Sequence, residues 1–391
     1  MQKKVIVGLS GGVDSSVAAL ILKKIGYKVI GLFMHNWEEK TSKCTWIEDS
    51  IDAMLVSNQL NIPFQIVEMK KEYKKYVINY MFKEYELGNT PNPDILCNRE
   101  IKFNIFLKKA IDLGADFIAT GHYVNKEKII KNNKIIYRLS IGKDLNKDQS
   151  YFLCQLTQYQ LKKSLFPLGL FTKNQVRKIA EKNGLCNAHK KDSQGLCFIG
   201  KIKLPEFLQK KILPKKGEVV CINSNSLIYK KKIIFSSLEE ELFFLSRKRK
   251  YKKSDGKVIG YHKGAYLFTK GQRKGIAIGG YKKALFVIET DVKKNIVYTG
   301  FGNKHPGLYN KSLFIKEKDI HWIREDLALF EGEKMDVFSR IRYRQVLQKS
   351  KLHKIKKGML IEFEIMQCAI TEGQFAVWYL GKELIGSGII S

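Results

Sequence analysis

Val5-Ile6-Val7-Gly8-Leu9 runs directly into Ser10-Gly11-Gly12-Val13-Asp14-Ser15-Ser16, after which Val17, Leu20, Ile21 and Ile25 recur at helical spacing. An unbroken apolar run of that kind is a strand covered on both faces, as in a parallel sheet flanked by helices. A glycine-rich turn from such a strand into a helix aims backbone N–H groups and the positive helix end at one point, which is an anion site. Ser15 and Ser16 can add hydroxyl donors, and Asp14 can help hold Mg2+ with a bound phosphate. The spacing fits neither G-x-x-x-x-G-K-[ST] nor G-x-G-x-x-G.

The alternation of apolar runs and helical patterns continues to about residue 125. Val29 to Met34 reads as a second strand, Ile62 to Val67 as a third and Phe117 to Thr120 as a further one, with helical patterns over 45–60, 71–87 and 100–113. This predicts a doubly wound α/β domain whose ligands bind beyond the carboxyl ends of the strands. The loop Ser10 to Ser15, the stretch after Met34 and Gly121-His122 lie at those ends. From about 205 the texture changes to Lys-rich stretches with short apolar segments, including a dense patch from Arg247 to Lys253. Period-two runs then dominate, such as Met359 to Ile365 and Phe375 to Leu380, which predict a small antiparallel sheet or barrel. Three domains are expected: catalytic over 1–205, central with a Lys-rich insert over 206–282, and C-terminal β over 283–391.

The chain of 391 residues carries 70 Lys and Arg, ten of them Arg, against 38 Asp and Glu, a formal +32. A field of that size favours a polyanion such as nucleic acid, bound less tightly as salt rises. With 44% hydrophobic residues the chain can bury proper cores and is not disordered. No apolar run approaches the ~18 residues of a membrane span, and the apolar start is cut short by Gly11, Gly12 and Asp14, unlike a signal peptide. Seven Cys, with no C-x-x-C pair, suit neither a secreted disulfide framework nor a zinc or iron–sulfur site. A cytoplasmic protein is expected, with any disulfide transient.

Two stretches carry the candidate thiols. In Thr90-Pro91-Asn92-Pro93-Asp94-Ile95-Leu96-Cys97-Asn98 the prolines predict a stiff, non-helical segment before a helix opening near Lys102 and Phe103. Cys97 would lie near that helix end, which favours a thiolate, and Asp94 could act as acid or base or bond a base edge. In Lys191 to Gly200, Cys197 stands between glycines, an uncrowded setting for a thiol that attacks or carries another sulfur. The other five Cys read as structural. Arg342, Tyr343 and Arg344 alternate as on a strand edge, and Trp322 and Trp378 read as core.

The nucleotide turn resembles that of pyrophosphatase-loop enzymes, which use ATP to adenylate a carbonyl oxygen. Taken with Gly31 to Met34, Thr90 to Asn98, Ala119 to Tyr123, Asn146 to Leu153, Asp192 to Gly200, Gly271 to Gly275 and Arg342 to Gln345, it resembles the bacterial tRNA-specific 2-thiouridylases through most of the chain. The resemblance implies ATP contacts at Gly8, Leu9, Ser10, Gly11, Gly12, Val13, Asp14, Ser15, Met34 and Gly121. It implies Cys97 as nucleophile, Cys197 as persulfide carrier, and a transient Cys97–Cys197 disulfide. Asn92, Pro93 and Asp94 would meet the target base, and His122, Lys147, Asp148, Gln149, Arg342, Tyr343 and Gln374 the tRNA. The implied reaction is ATP-dependent 2-thiolation of the wobble uridine, with Mg2+-ATP as substrate and no permanent metal or cluster. The implied partners are tRNA and a persulfide-donating protein, with the enzyme a monomer. The chain departs from the family pattern over 221–256, where extra Lys-rich sequence carries an apolar patch, Leu242-Phe243-Phe244-Leu245. A small-metabolite ligase or amidotransferase and a non-catalytic RNA-binding protein are the competing readings; the two thiols a hundred residues apart and the basic balance argue against the first, and the intact Ser10 to Ser16 with both thiols against the second.

Overall fold

The computed structural model describes residues 2–38, 45–192, 204–230 and 233–391. Cys44 and Cys197 lie outside them.

The apolar runs form strands as expected. β1 (Lys4–Gly8) leads through the nucleotide turn into helix α1 (Val13–Lys24), β2 (Lys28–His35) precedes α2 (Thr45–Gln59), and β3 (Phe64–Glu68) and β4 (Phe117–Ala119) follow. With the short β7 (Ser164–Leu165) they make a parallel sheet in the order β3-β2-β1-β4-β7. Alternate residues of β1 face opposite cores, Ile6 one and Val5 and Val7 the other, so both faces are covered. The switch in strand order falls at β1, which puts the nucleotide turn in the crevice where doubly wound sheets bind ligands.

Between β4 and β7 lies a hairpin, β5 (Val124–Lys131) and β6 (Lys134–Ile141), that the sequence reading missed. Its turn residues Asn132 and Asn133 both take positive φ, 49° and 59°. That is the geometry that matches hairpin twist, and Asn tolerates it. β6 pairs with a strand of the C-terminal domain, described below, and so ties the first domain to the last.

β8 (Gly217–Ile222), β9 (Gly256–His262), β10 (Leu285–Asp291) and β11 (Ile296–Phe301) form a second sheet in the order β10-β11-β8-β9. This sheet runs to Phe301, past residue 283 where the C-terminal domain was expected to begin. The Lys-rich excursion between β8 and β9 holds a helix, Leu238–Ser246, capped by Ser237 and carrying three Glu in its first turn. Its apolar patch is packed: Leu242 is buried with Ile355 and Leu360, and Phe243 meets Phe314 edge-on at 5.1 Å.

β12 (Tyr309–Trp322), β13 (Lys334–Arg340), β14 (Gln348–Ile355), β15 (Gly358–Cys368), β16 (Phe375–Leu380) and β17 (Glu383–Ile390) are antiparallel, in the order β12-β15-β14-β13-β16-β17. Pairing of β12 with β17 closes them into a six-stranded barrel filled by Leu313, Val337, Ile361, Phe363 and Trp378. Trp322 packs on Trp378 at 5.4 Å, a core pair as expected. Arg342, Tyr343 and Arg344 do not lie on a strand. They form the turn between β13 and β14, with Arg344 at φ 65°. Alternation over three residues cannot distinguish a strand edge from a turn.

Candidate functional site

The nucleotide turn is shaped by two glycines. Gly11 has φ 73°, and a Cβ there would lie 2.1 Å from the carbonyl oxygen of Asp49. At Gly121, past the end of β4, a Cβ would lie 2.8 Å from the backbone of Asp14 and Ser15. Both positions therefore exclude a side chain. Gly12 precedes the helix in an extended conformation, leaving the first N–H groups of α1 without a side-chain cap. Ser15 Oγ accepts from the Ser10 N–H at 3.1 Å and donates to the Gly12 carbonyl at 3.0 Å. Asn187 holds the loop from outside, donating to the Gly11 carbonyl at 3.0 Å and to Ser16 Oγ at 2.9 Å.

Met34, at the end of β2, completes the rim: a Cβ on Gly8 would lie 3.3 Å from its Cε. Two residues on, the Asn36 amide is buried with neither atom hydrogen-bonded, a desolvated donor and acceptor on the same rim.

Asp14 points into a charged cluster. Its Oδ1 accepts from Lys173 Nζ at 2.7 Å and from the Tyr123 hydroxyl at 2.6 Å. Burial, with Asp14 beside it, pushes the Tyr123 hydroxyl well above its ordinary pKa. Lys173 also meets Asp192 at 2.7 Å, which Lys147 and Arg177 share at 2.5 and 3.2 Å. Burial opposes the charge on Asp192, yet the ammonium groups of Lys147 and Lys173 outweigh it and bring its carboxyl down to about 2. Asp14, expected to help hold Mg2+ with ATP, is engaged by Lys173 and Tyr123. Among the described residues no group of three or more His, Cys, Asp or Glu is placed to hold a metal ion.

The Cys97 segment departs from the sequence reading. Pro93 does not keep it non-helical but opens the helix, at the first position, where no N–H is needed. Asn92 caps it, Oδ1 accepting from the Ile95 N–H at 3.2 Å. The helix continues through a wide, π-type stretch, Cys97–Phe106, into Leu107–Asp112. Cys97 is therefore one turn inside the helix and fully buried, while Asp94 sits half-buried in the first turn. Such wide stretches are often found at functional sites. The helix lies against the nucleotide rim: Phe106 packs over Gly8, and Phe103 is 5.9 Å from the His122 ring.

The C-terminal barrel grips the segment that leads into this helix. Thr90 N–H donates to the Glu372 carbonyl at 2.9 Å, and Gln374 Nε2 donates to the carbonyls of Thr90 and Pro91 at 2.7 and 3.3 Å. Gln374, expected at the tRNA, thus holds Thr90 to Asn92.

The other expected tRNA positions divide by exposure. Arg342 is exposed, and Tyr343 packs on Phe152 at 4.4 Å, whose carbonyl accepts from Asn98 at 3.2 Å. Lys147 is partly exposed beside Asp192. Asp148 is 4% exposed, its carboxylate taken by Arg340 at 2.6 Å and Ser150 at 3.0 Å, so it shapes the Lys147–Gln149 turn from within. Gln149 Oε1 accepts from the Tyr123 N–H at 3.1 Å. His122 is buried against Thr120 at 2.8 Å, and burial with nearby Lys102 holds its pKa well below 6.5, leaving it neutral. Cys197 lies outside the described residues. Lys173, Tyr123 and Asn187 were missed by the sequence reading. Thr172 and Gln175, a capping pair before an apolar pattern, marked the helix that begins at Lys173.

Family models match three successive parts of the chain: a tRNA methyl transferase HUP domain over 3–201, a tRNA methyl transferase PRC-barrel domain over 241–301, and an aminomethyltransferase β-barrel domain over 312–390. Relatives named tRNA-specific 2-thiouridylase MnmA match at full length. The protein of Flavobacterium johnsoniae is 57% identical, covering 100% of both chains. That of Christiangramia forsetii is 54% identical over 100% of both. That of Karelsulcia muelleri is 57% identical over 100% of this chain and 99% of its own. With the nucleotide turn, the helix that opens at Pro93 and carries Cys97, and the barrel in one arrangement, the chain belongs to the family of tRNA-specific 2-thiouridylases.

Proposed function

We propose that the protein is an ATP-dependent sulfurtransferase that converts the wobble uridine of tRNA to 2-thiouridine. Full-length identity to 2-thiouridylases carries this reading, and a nucleotide turn packed against the helix that bears Cys97 supports it. ATP enters as its Mg2+ complex, the ion carried by its phosphates. The C2 oxygen of an everted uracil attacks the α-phosphorus, pyrophosphate leaves, and the oxygen becomes part of an AMP ester. A carbonyl oxygen is a poor leaving group and AMP a good one, so sulfur can then displace it.

The outer sulfur of a Cys197 persulfide attacks C2 and AMP departs. Cys97 thiolate then attacks the inner sulfur, which frees the thiouridine and leaves a Cys97–Cys197 disulfide. In the variant route Cys97 first releases hydrosulfide from the persulfide, with the same disulfide as product. Either way an external thiol restores both cysteines, and a persulfide-donating protein reloads Cys197. The base must leave its stack to reach the rim, and Asn92, Pro93 and Asp94 receive it. His122, Lys147, Asp148, Gln149, Arg342, Tyr343 and Gln374 serve the tRNA side, Asp148 and Gln374 by fixing the backbone of contacting segments.

The family labels speak of methyl transfer, so the test is mass spectrometry of the wobble nucleoside after incubation of tRNA with ATP and a persulfide donor. Exchange of oxygen for sulfur is expected, lost in Cys97→Ser and Cys197→Ser. An added methyl group, or thiolation that survives both substitutions, would sink the reading.

A further inference from the structure

The nucleotide turn has no Lys or Arg from Gly8 to Ser16. Helix α1 contributes only about half an elementary charge at its N-terminus, whereas sites of phosphoryl chemistry ordinarily add a cation to meet the developing charge. Among the described residues, Lys173 is a cation hydrogen-bonded to the turn, through Asp14. It is the first residue of the helix Lys173–Lys182, whose start is fixed by the Thr172–Gln175 capping box and by the Lys173 N–H donating to Asp144 at 2.8 Å. The side chain is 15% exposed and its Nζ bridges Asp14, inside the turn, and Asp192.

Neither carboxylate depends on Lys173 alone. Asp192 keeps Lys147 and Arg177, and Asp14 keeps the Tyr123 hydroxyl. When the ammonium moves from Asp14 to a phosphate oxygen, Asp192 therefore keeps two cations and Asp14 keeps the Tyr123 hydrogen bond.

We propose that Lys173 is the phosphate-binding cation of the site, an addition that rests on the reading of the turn as an ATP site. Its ammonium transfers from Asp14 to the β- and γ-phosphates and neutralises the charge gathering on pyrophosphate as the α–β bond breaks. Asp14 serves as the seat that holds it at the turn.

Calorimetric titration of the full chain with ATP, AMP and adenosine tests this in wild type, Lys173→Met, Lys173→Arg and the double variant Lys173→Met/Asp14→Asn. Lys173→Met is expected to weaken ATP binding roughly ten- to a hundredfold, AMP less and adenosine not at all. Lys173→Arg should recover most of the ATP affinity, and the double variant should stay weak. Equal loss for ATP and adenosine, or wild-type ATP affinity in the double variant, would mean that Lys173 only shields Asp14 or supports the fold, and would overturn the proposal. Lys173→Gln repeats the series should the Met variant not fold. Wild-type affinity that does not rise with the number of phosphates would remove the ATP reading itself. Normal wild-type behaviour with an unaffected Lys173→Met would remove this proposal alone.

Discussion

Asp192 accepts from Lys147, Lys173 and Arg177, and its carboxyl is held near 2 against an ordinary 3.8. A lowered carboxyl pKa stabilises the folded state fully above the unfolded value and loses that effect as pH falls through the folded one. Asp192→Asn should therefore cost stability near neutral pH, and the gap from wild type should close between about pH 4 and pH 2, as followed by urea midpoints. A gap that stays constant over that window would show that the cations do not set this group's charge. Individual residues were legible where chemistry is local. Ser10 to Ser15, Met34 and Gly121 do meet at one rim, because strand, turn and helix are consecutive and the switch point is set by strand order. Lys173 was not legible, because its partners lie 159 residues away at Asp14 and 19 at Asp192, and no periodicity encodes that.

The helix Leu238–Ser246 shows what an element in the Lys-rich excursion does. Ser312 Oγ donates to the Leu242 carbonyl at 2.6 Å and Asn310 Nδ2 to the Leu245 carbonyl at 2.9 Å, so the helix is bolted to β12. Just after it, Lys248 pairs with Glu372 at 2.7 Å, in the loop that grips Thr90. The excursion is a strap between the central sheet and the barrel. Leu242→Ala should lower stability by about 2–5 kcal/mol, read as a fall in the thermal midpoint; a midpoint within about a degree of wild type would mean that the patch bears no packing load. Helices and strands with strong patterns were legible from sequence. The errors fell where backbone chemistry overrode a general rule. Asn92-Pro93 reads as a capped helix start once proline's missing N–H is placed at the first position, and Asn132-Asn133 reads as a hairpin turn once both are allowed positive φ.

Across the whole molecule the three sheets are stitched together by β6 on β17, by the strap, and by Gln374 on the Thr90 segment. No helix among the described residues is long and apolar enough to cross a membrane. The formal +32 suits a polyanion as large as tRNA. Affinity for tRNA should fall steeply with salt, by roughly a thousandfold between 50 and 200 mM if about six phosphates are neutralised; a flat dependence would show that the charge is generic surface.

The central claim is that ATP makes the C2 oxygen of the wobble uracil leave as part of AMP. It is tested most directly with tRNA that carries heavy oxygen at that C2 position. After a single turnover with ATP and a persulfide donor, mass spectrometry should find the heavy oxygen in the AMP phosphate, matched in amount to the thiouridine formed. Thiouridine formed with the heavy oxygen in water or pyrophosphate, and none in AMP, would contradict the account.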